Sequence, residues 1–240
     1  MEYNSPRQLN AIERADQGER AFIGKVYNYL AGGLGLSTLT AFLTTKEPLI
    51  NLMYTVTTTG YSFSVLGWII VIAPFVLIFM MNNAVRQENP EKAAVLFWSF
   101  SGLLGLSMGN IFMAYTGASI AQTFLVTAGA FLGLSIYGHS TKRDLSGLGS
   151  FLFMGLIGII LASLANIFFK SSTASFVISV LGVLIFAGFT AYDTANIKQI
   201  YHSVPDERQR NALAISGALS LYLDFINLFQ FLLSFLGDRR

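Results

Sequence analysis

This sequence is short of charge. Lys, Arg, Asp and Glu make up 12% of its 240 residues, where a soluble domain carries about 25%. So little charge cannot hydrate the surface of a globule this size. With 53% hydrophobic residues and a mean hydropathy of +0.58, the missing polar surface implies a membrane as solvent. Cysteine is absent, which excludes disulfides, thiolate metal sites and cysteine nucleophiles. The net charge is only +2 and no basic block stands out, so nothing points to nucleic acid. The first apolar run begins near Val26, behind a segment rich in both charge signs, and no cleaved secretory signal is expected. Linkers and low-complexity tracts are also missing. The expected organisation is a cytoplasmic polar tail over residues 1–21 and a single transmembrane domain over 22–240.

What is present is a series of long apolar runs. A helix needs about 20 apolar residues to cross a hydrocarbon core of roughly 30 Å. Seven stretches qualify, at 26–45, 62–81, 93–113, 117–138, 150–169, 173–191 and 211–236. They are continuous rather than alternating, which predicts helices and not barrel strands. The expected fold is an all-α, seven-transmembrane-helix bundle. Of 15 basic and 13 acidic side chains, only Asp224 falls inside a window. Eleven Lys and Arg lie on the side of the N-terminal segment and four on the other, so the N-terminus is predicted to be cytoplasmic. If the seventh span were re-entrant, Arg239 and Arg240 would return inside, and charge alone separates neither topology.

Small residues recur as ridges at Ser101, Gly105 and Gly109, at Gly129 and Gly133, and at Gly155, Gly158 and Ala162, the pattern of tight helix packing in lipid. Asp224 is the anomaly. An aspartate near the bilayer centre costs about 2.5–3.5 kcal/mol on insertion scales and usually faces a cavity or a partner. Ser216, Ser220, Asp224 and Asn227 follow at spacings of four, four and three, which places them on one helical face. Asp193 sits at the cytoplasmic edge of the sixth span, where a solvated helix end is an equal explanation. Counted from the window edges, Asp224 lies 13 residues deep, roughly 20 Å at 1.5 Å per residue. The two acids meet only if helix six runs on towards Lys198 and helix seven starts near Arg208. His139 and His202 share no ligand spacing and read as surface histidines.

Three segments carry a resemblance: Phe189-Thr190-Ala191-Tyr192-Asp193-Thr194, Gly217 to Phe229, and Ser135-Ile136-Tyr137-Gly138 with Thr141-Lys142-Arg143-Asp144-Leu145. With these segments spread across its last half, the chain resembles the transmembrane Bax inhibitor motif family, the Bax inhibitor-1 group, and its bacterial members in particular. The resemblance implies a bundle with the seventh helix central and a pH-sensitive calcium leak. It also implies a gate formed by two facing aspartates, at the positions of Asp193 and Asp224, with calcium as the transient ligand and permeant ion and no cofactor. Ser216, Ser220 and Asn227 are the candidate path lining. An arginine ending the second helix competes for the first aspartate in that family, and Arg86 is the candidate here. A bacterial inner membrane is the implied location.

Two carboxyls in a low-dielectric site repel when both are ionised, so such a pair shares one proton and titrates as a unit. Other readings stand beside the leak. An intramembrane aspartyl protease would put glycines before its second acid, where this chain has Leu221-Tyr222-Leu223, and no enzyme activity is expected. A regulator docking on a membrane protease or another membrane protein through the polar N-terminal segment is the main alternative. A secondary transporter would be favoured by inverted repeats, which are not evident.

Overall fold

The computed structural model describes residues 6–57 and 60–240, with side chains over 16–55 and 62–240. The first five residues of the polar N-terminal segment lie outside the described residues. Helix α1 spans Pro6–Leu43, so it begins within that polar segment and runs unbroken into the first apolar window. A short helix α2 (Leu49–Met53) and an antiparallel hairpin of β1 (Tyr54–Thr57) and β2 (Gly60–Phe63) follow. The long helices are then α3 (Val65–Arg86), α4 (Pro90–Ser107), α6 (Gly117–Ser140), α7 (Ser146–Phe169), α8 (Ser172–Ser203) and α9 (Glu207–Leu236), with a short α5 (Gly109–Ala114) completing the span begun by α4.

The starts are written in the sequence. Ser64, Asn89, Thr116, Ser171 and Asp206 each accept a hydrogen bond from a backbone N–H of the first turn, satisfying donors that a helix leaves orphaned. The sharp return from α7 to α8 uses Lys170 in the left-handed region at φ 49°. Asn166 steadies it by accepting from Ser171 N at 3.0 Å and donating to Ser175 Oγ at 2.8 Å.

Among the described residues, six spans, counting α4 with α5 as one, are long and apolar enough to cross a membrane. Helix α1 packs along α4 and α9 and completes the bundle. Helix α9 is its centre: it packs against α1, α3, α4, α6 and α8, and half of its most apolar stretch is buried against 11–33% for the others. Helix α7 stands at the periphery against α8.

The topology left open by charge is decided by the two ends of α9. At its start Arg208 pairs with Glu91 at 3.1 Å and donates to Glu88 O at 2.9 Å, in the connection between α3 and α4. Past its end, Thr116 N donates to Asp238 O at 3.1 Å and Arg240 N to Ala114 O at 3.0 Å, at the opposite end of α4–α5. An unbroken helix joining both ends of the bundle is a full crossing, not a re-entrant hairpin.

The small-residue ridges divide. On α4, a side chain at Gly105 would strike Thr40 and the Ser37 backbone, and one at Gly109 would strike Thr44. This ridge holds α1 and α4 together. Gly129 and Gly133 instead face open space and are exposed, as is Gly158. The expectation that they pack inside the bundle is corrected: spacing reports a ridge but not the direction it faces.

Candidate functional site

Helix α8 does not stop where its hydropathy does. It continues ten residues beyond Asp193 to Ser203, and α9 begins at Glu207, 17 residues before Asp224. The two helices form a long antiparallel pair with a three-residue turn. Asp193 thereby comes level with Ser220, whose hydroxyl faces its carboxylate. Asp224 follows one turn further along α9, close enough for the two charges to repel. Asp193 is half-buried, while Asp224 is 5% exposed and one of its carboxylate oxygens, Oδ2, has no hydrogen-bond partner among the described residues.

Both acids line one cavity of about 550 Å³ between α7, α8 and α9, together with Ser220 and Asn227. The wall that α7 contributes opposite them is mostly apolar, including Leu156, Ile159 and Ile160. A second cleft of about 390 Å³ shares Ser163, Asn227 and Phe231 with the first and adds Asn166, Ser175, Ser179, Gln230 and Ser234. Together they form a track whose polar residues on α9 run from Ser220 to Ser234, about 21 Å at 1.5 Å per residue. At the end of the track away from Asp193, Ser179 Oγ donates to Ser175 O at 2.9 Å and lies 3.2 Å from Ser234 Oγ. Towards the start of α9 the helices lie close together: a side chain at Gly217 would meet Ile197 on α8, and one at Gly138 on α6 would meet the Ala191 carbonyl.

The stripe on α9 is joined to the site only in part. Ser220, Asp224 and Asn227 line the cavity, with Asn227 Nδ2 turned back to Leu223 O at 2.7 Å. Ser216 is half-buried nearer the start of α9 and is not among the lining residues. Arg86 is exposed in the last turn of α3. The ion pairs among the described residues, His202–Glu19 and Arg208–Glu91, do not include it. The structure therefore does not bring Arg86 to Asp193. The segment from Thr141 to Leu145 is a helix-start turn: Asp144 Oδ1 accepts from Ser146 N at 2.9 Å and from its hydroxyl, which holds the Asp144 carboxyl below the usual range.

Ser163, Asn166, Ser175 and Ser179 were not singled out by the sequence reading. Their spacings of three and four were available as a signal, but serine and asparagine near span ends look interfacial until two helices are seen to share them. A second buried polar group was missed as well. Tyr222 is fully buried, and its hydroxyl meets Ser37 Oγ at 2.5 Å. Ser37 directs its single proton to the carbonyls of Ser101, at 2.7 Å, and Gly33, at 2.9 Å, so Tyr222 is the donor to Ser37. This cluster ties α9 to α1 and α4, on the opposite side of α9 from the acids.

A family model described as "Inhibitor of apoptosis-promoting Bax1" matches residues 19–240. Among similar proteins, one from Caulobacter vibrioides, described as uncharacterized, is 47% identical over 94% of this chain and 91% of its own length. An uncharacterized protein of Borreliella burgdorferi is 42% identical over 91% and 92%. The Escherichia coli "Inner membrane protein YbhL" is 39% identical over 96% of this chain and 97% of its own.

Proposed function

We propose that this chain, which belongs to the Bax inhibitor-1 family, lets cations leak across its membrane along the α7–α8–α9 track, with Asp193 and Asp224 as the gate. One observation carries this reading: the acid buried deepest in the bundle shares a cavity with a second acid, and that cavity continues into a polar cleft reaching one end of the bundle. Intramembrane acids with no basic partner are expensive and usually mark ion or proton paths.

The chemistry of the pair suits a gate. With one proton between them, the carboxyls hydrogen-bond and clamp α8 to α9. With none, they repel, the helices separate at their tightest point, and the track gains a negative lining. Calcium takes six to eight oxygen ligands. Two carboxylates, Ser220 and Asn227 offer fewer than a tight site needs, which favours a passing ion over a held one. The bias of eleven Lys and Arg against four sets the start of α9 on the cytoplasmic side. The polar cleft then opens outward and the close contact at Gly138 and Gly217 faces the cytoplasm. Similarity to an inner membrane protein of Escherichia coli supports the same location.

The test is calcium entry into dye-loaded proteoliposomes between about pH 5 and 8, the range over which a coupled acid pair changes charge. Wild-type flux is expected to depend on pH, and both Asp193→Asn and Asp224→Asn are expected to flatten that dependence. An unchanged pH profile in the variants would remove the gate. No flux above empty liposomes, with the protein folded, would remove the leak and leave the partner-binding regulator as the reading.

A further inference from the structure

The polar stripe on α9 has an interruption. Positions 220, 224, 227, 231 and 234 follow one another at spacings of four, three, four and three, which keeps them on one helical face. Ser220, Asp224, Asn227 and Ser234 supply polar groups there, but the residue between the last two is Phe231. Its ring sits where the two cavities of the track meet. Both are lined by Ser163 and Ile167 of α7 and by Asn227 and Phe231 of α9. Helices α7 and α9 are both antiparallel to α8 and so run in the same direction. On each, the apolar residue follows the polar one by four positions, about one turn. A path leading away from the acids thus passes Ser163 and Asn227 before it meets Ile167 and Phe231.

The ring is held in place by α8. It stacks on Phe186, with centroids 5.8 Å apart and planes at 25°. It also occupies the space that a side chain at the buried Gly182 would need, so glycine there lets the ring seat. Behind the ring stand Asp193, Ser220 and Asp224; beyond it stand Ser175, Gln230 and Ser234. An apolar level therefore separates two polar compartments. Hydrophobic constrictions in channels gate by dewetting, and an ion stripped of water between apolar side chains finds nothing to replace it. The slot on the other side of α9, between α1 and α6, is mostly apolar from Tyr27 to Phe42 and offers no comparable stripe.

We propose that Phe231, together with Ile167, forms an apolar constriction between the outer cleft and the acid pair, and that its bulk limits how fast hydrated cations reach the acids. The rate-limiting role rests on the leak reading above, whereas the constriction itself does not. The two devices have separate effects: the acids set how flux depends on pH, and Phe231 sets its size.

The absence of cysteine gives a silent background for the test. Single cysteines replace Ser234, beyond the ring, and Ser220, behind it, in the full chain in vesicles, and a charged methanethiosulfonate is added. Ser234→Cys is expected to react readily. Ser220→Cys is expected to react slowly and to accelerate about tenfold when combined with Phe231→Ala, the change that lowering a barrier by roughly 1.4 kcal/mol produces. Phe231→Leu, which keeps apolar contact with α8, should give a smaller rise in the same direction. Phe235→Ala removes a ring one turn further along α9 that lines neither cavity, and should leave the Ser220→Cys rate unchanged. In the calcium assay, Phe231→Ala should raise flux at each pH and keep its pH dependence. Equal Ser220→Cys rates with and without the ring would overturn the constriction. So would an unreactive Ser234→Cys, or an equal acceleration by Phe235→Ala. A wild type that leaks as fast as Phe231→Ala would overturn the rate-limiting role. No flux from either protein, with labelling as expected, would remove the leak and leave the constriction standing.

Discussion

Tyr222 and Asp224 stand two positions apart on α9 and face opposite sides of it, each burying a polar group for a different end. The Tyr222 ring packs edge-on against Phe97 and Phe100, with centroids at 6.1 and 5.7 Å, and its hydroxyl is satisfied by Ser37. Such hydrogen bonds inside membrane bundles average about 0.6 kcal/mol. Tyr222→Phe is therefore expected to lower the unfolding free energy in detergent by about 0.5–1 kcal/mol and to leave calcium flux unchanged. A larger loss, or altered flux, would tie this cluster to the gate. Asp224 leaves one oxygen unpartnered, which is costly for stability and fits a group kept for function. Of the two, Asp224 was legible as the lone charge in an apolar window. Tyr222 was not, because a tyrosine facing lipid and one in the core look alike in sequence.

Among elements, α6 shows how position along a helix changes the meaning of the same residue. Gly138 lies against the backbone carbonyl of Ala191 and the Thr194 side chain, whereas Gly133 faces open space. Thr194 Oγ1, which donates to Thr190 O at 2.7 Å, also lies 3.4 Å from Ser135 Oγ, so the Ser135-to-Gly138 segment presses α6 onto α8 beside Asp193. Gly138→Leu must push backbone apart and is expected to cost about 1–3 kcal/mol, the usual range for overpacking. Gly133→Leu should stay within about 0.5 kcal/mol of wild type. Thermal unfolding of the two proteins in one detergent checks the contrast, and equal stabilities would mean that the α6–α8 contact is looser than described. The same close approach explains why hydropathy misplaced the end of α8. Its last ten residues are stabilised by packing on α6 and α9 and by their own backbone hydrogen bonds, neither of which requires apolar composition.

For the whole molecule, the crossing of α9 sets the sidedness of everything else. The connection holding Glu88 and Glu91 and the junction holding Tyr115 and Thr116 lie at opposite ends of the bundle, and α9 is tied to both. With the positive-inside bias, a reporter active only outside the cytoplasm should work when fused after Arg240 and fail when fused before Met1. The reverse pattern would invert the orientation, and failure at both ends would restore the re-entrant topology. Two openings flank α9: the acid-lined track on the α7 side and the apolar slot on the α1 side.

The sequence by itself determined the solvent, the helical class, the approximate spans, the charge bias and the exceptional acid, because each follows from local composition and a fixed helical period. It also marked Ser220 and Asn227 as companions of Asp224, since spacing on a single helix is a local property. Only the tertiary structure decided that Asp193 comes level with Ser220, that Ser163, Asn166, Ser175 and Ser179 extend the track, and that Arg86 stays away from it. The full crossing of α9 and the outward direction of the Gly129 and Gly133 ridge belong to the same class. These depend on how one helix is rotated and slid against another, and side-chain contacts between distant segments set that, while no single stretch of chain encodes it.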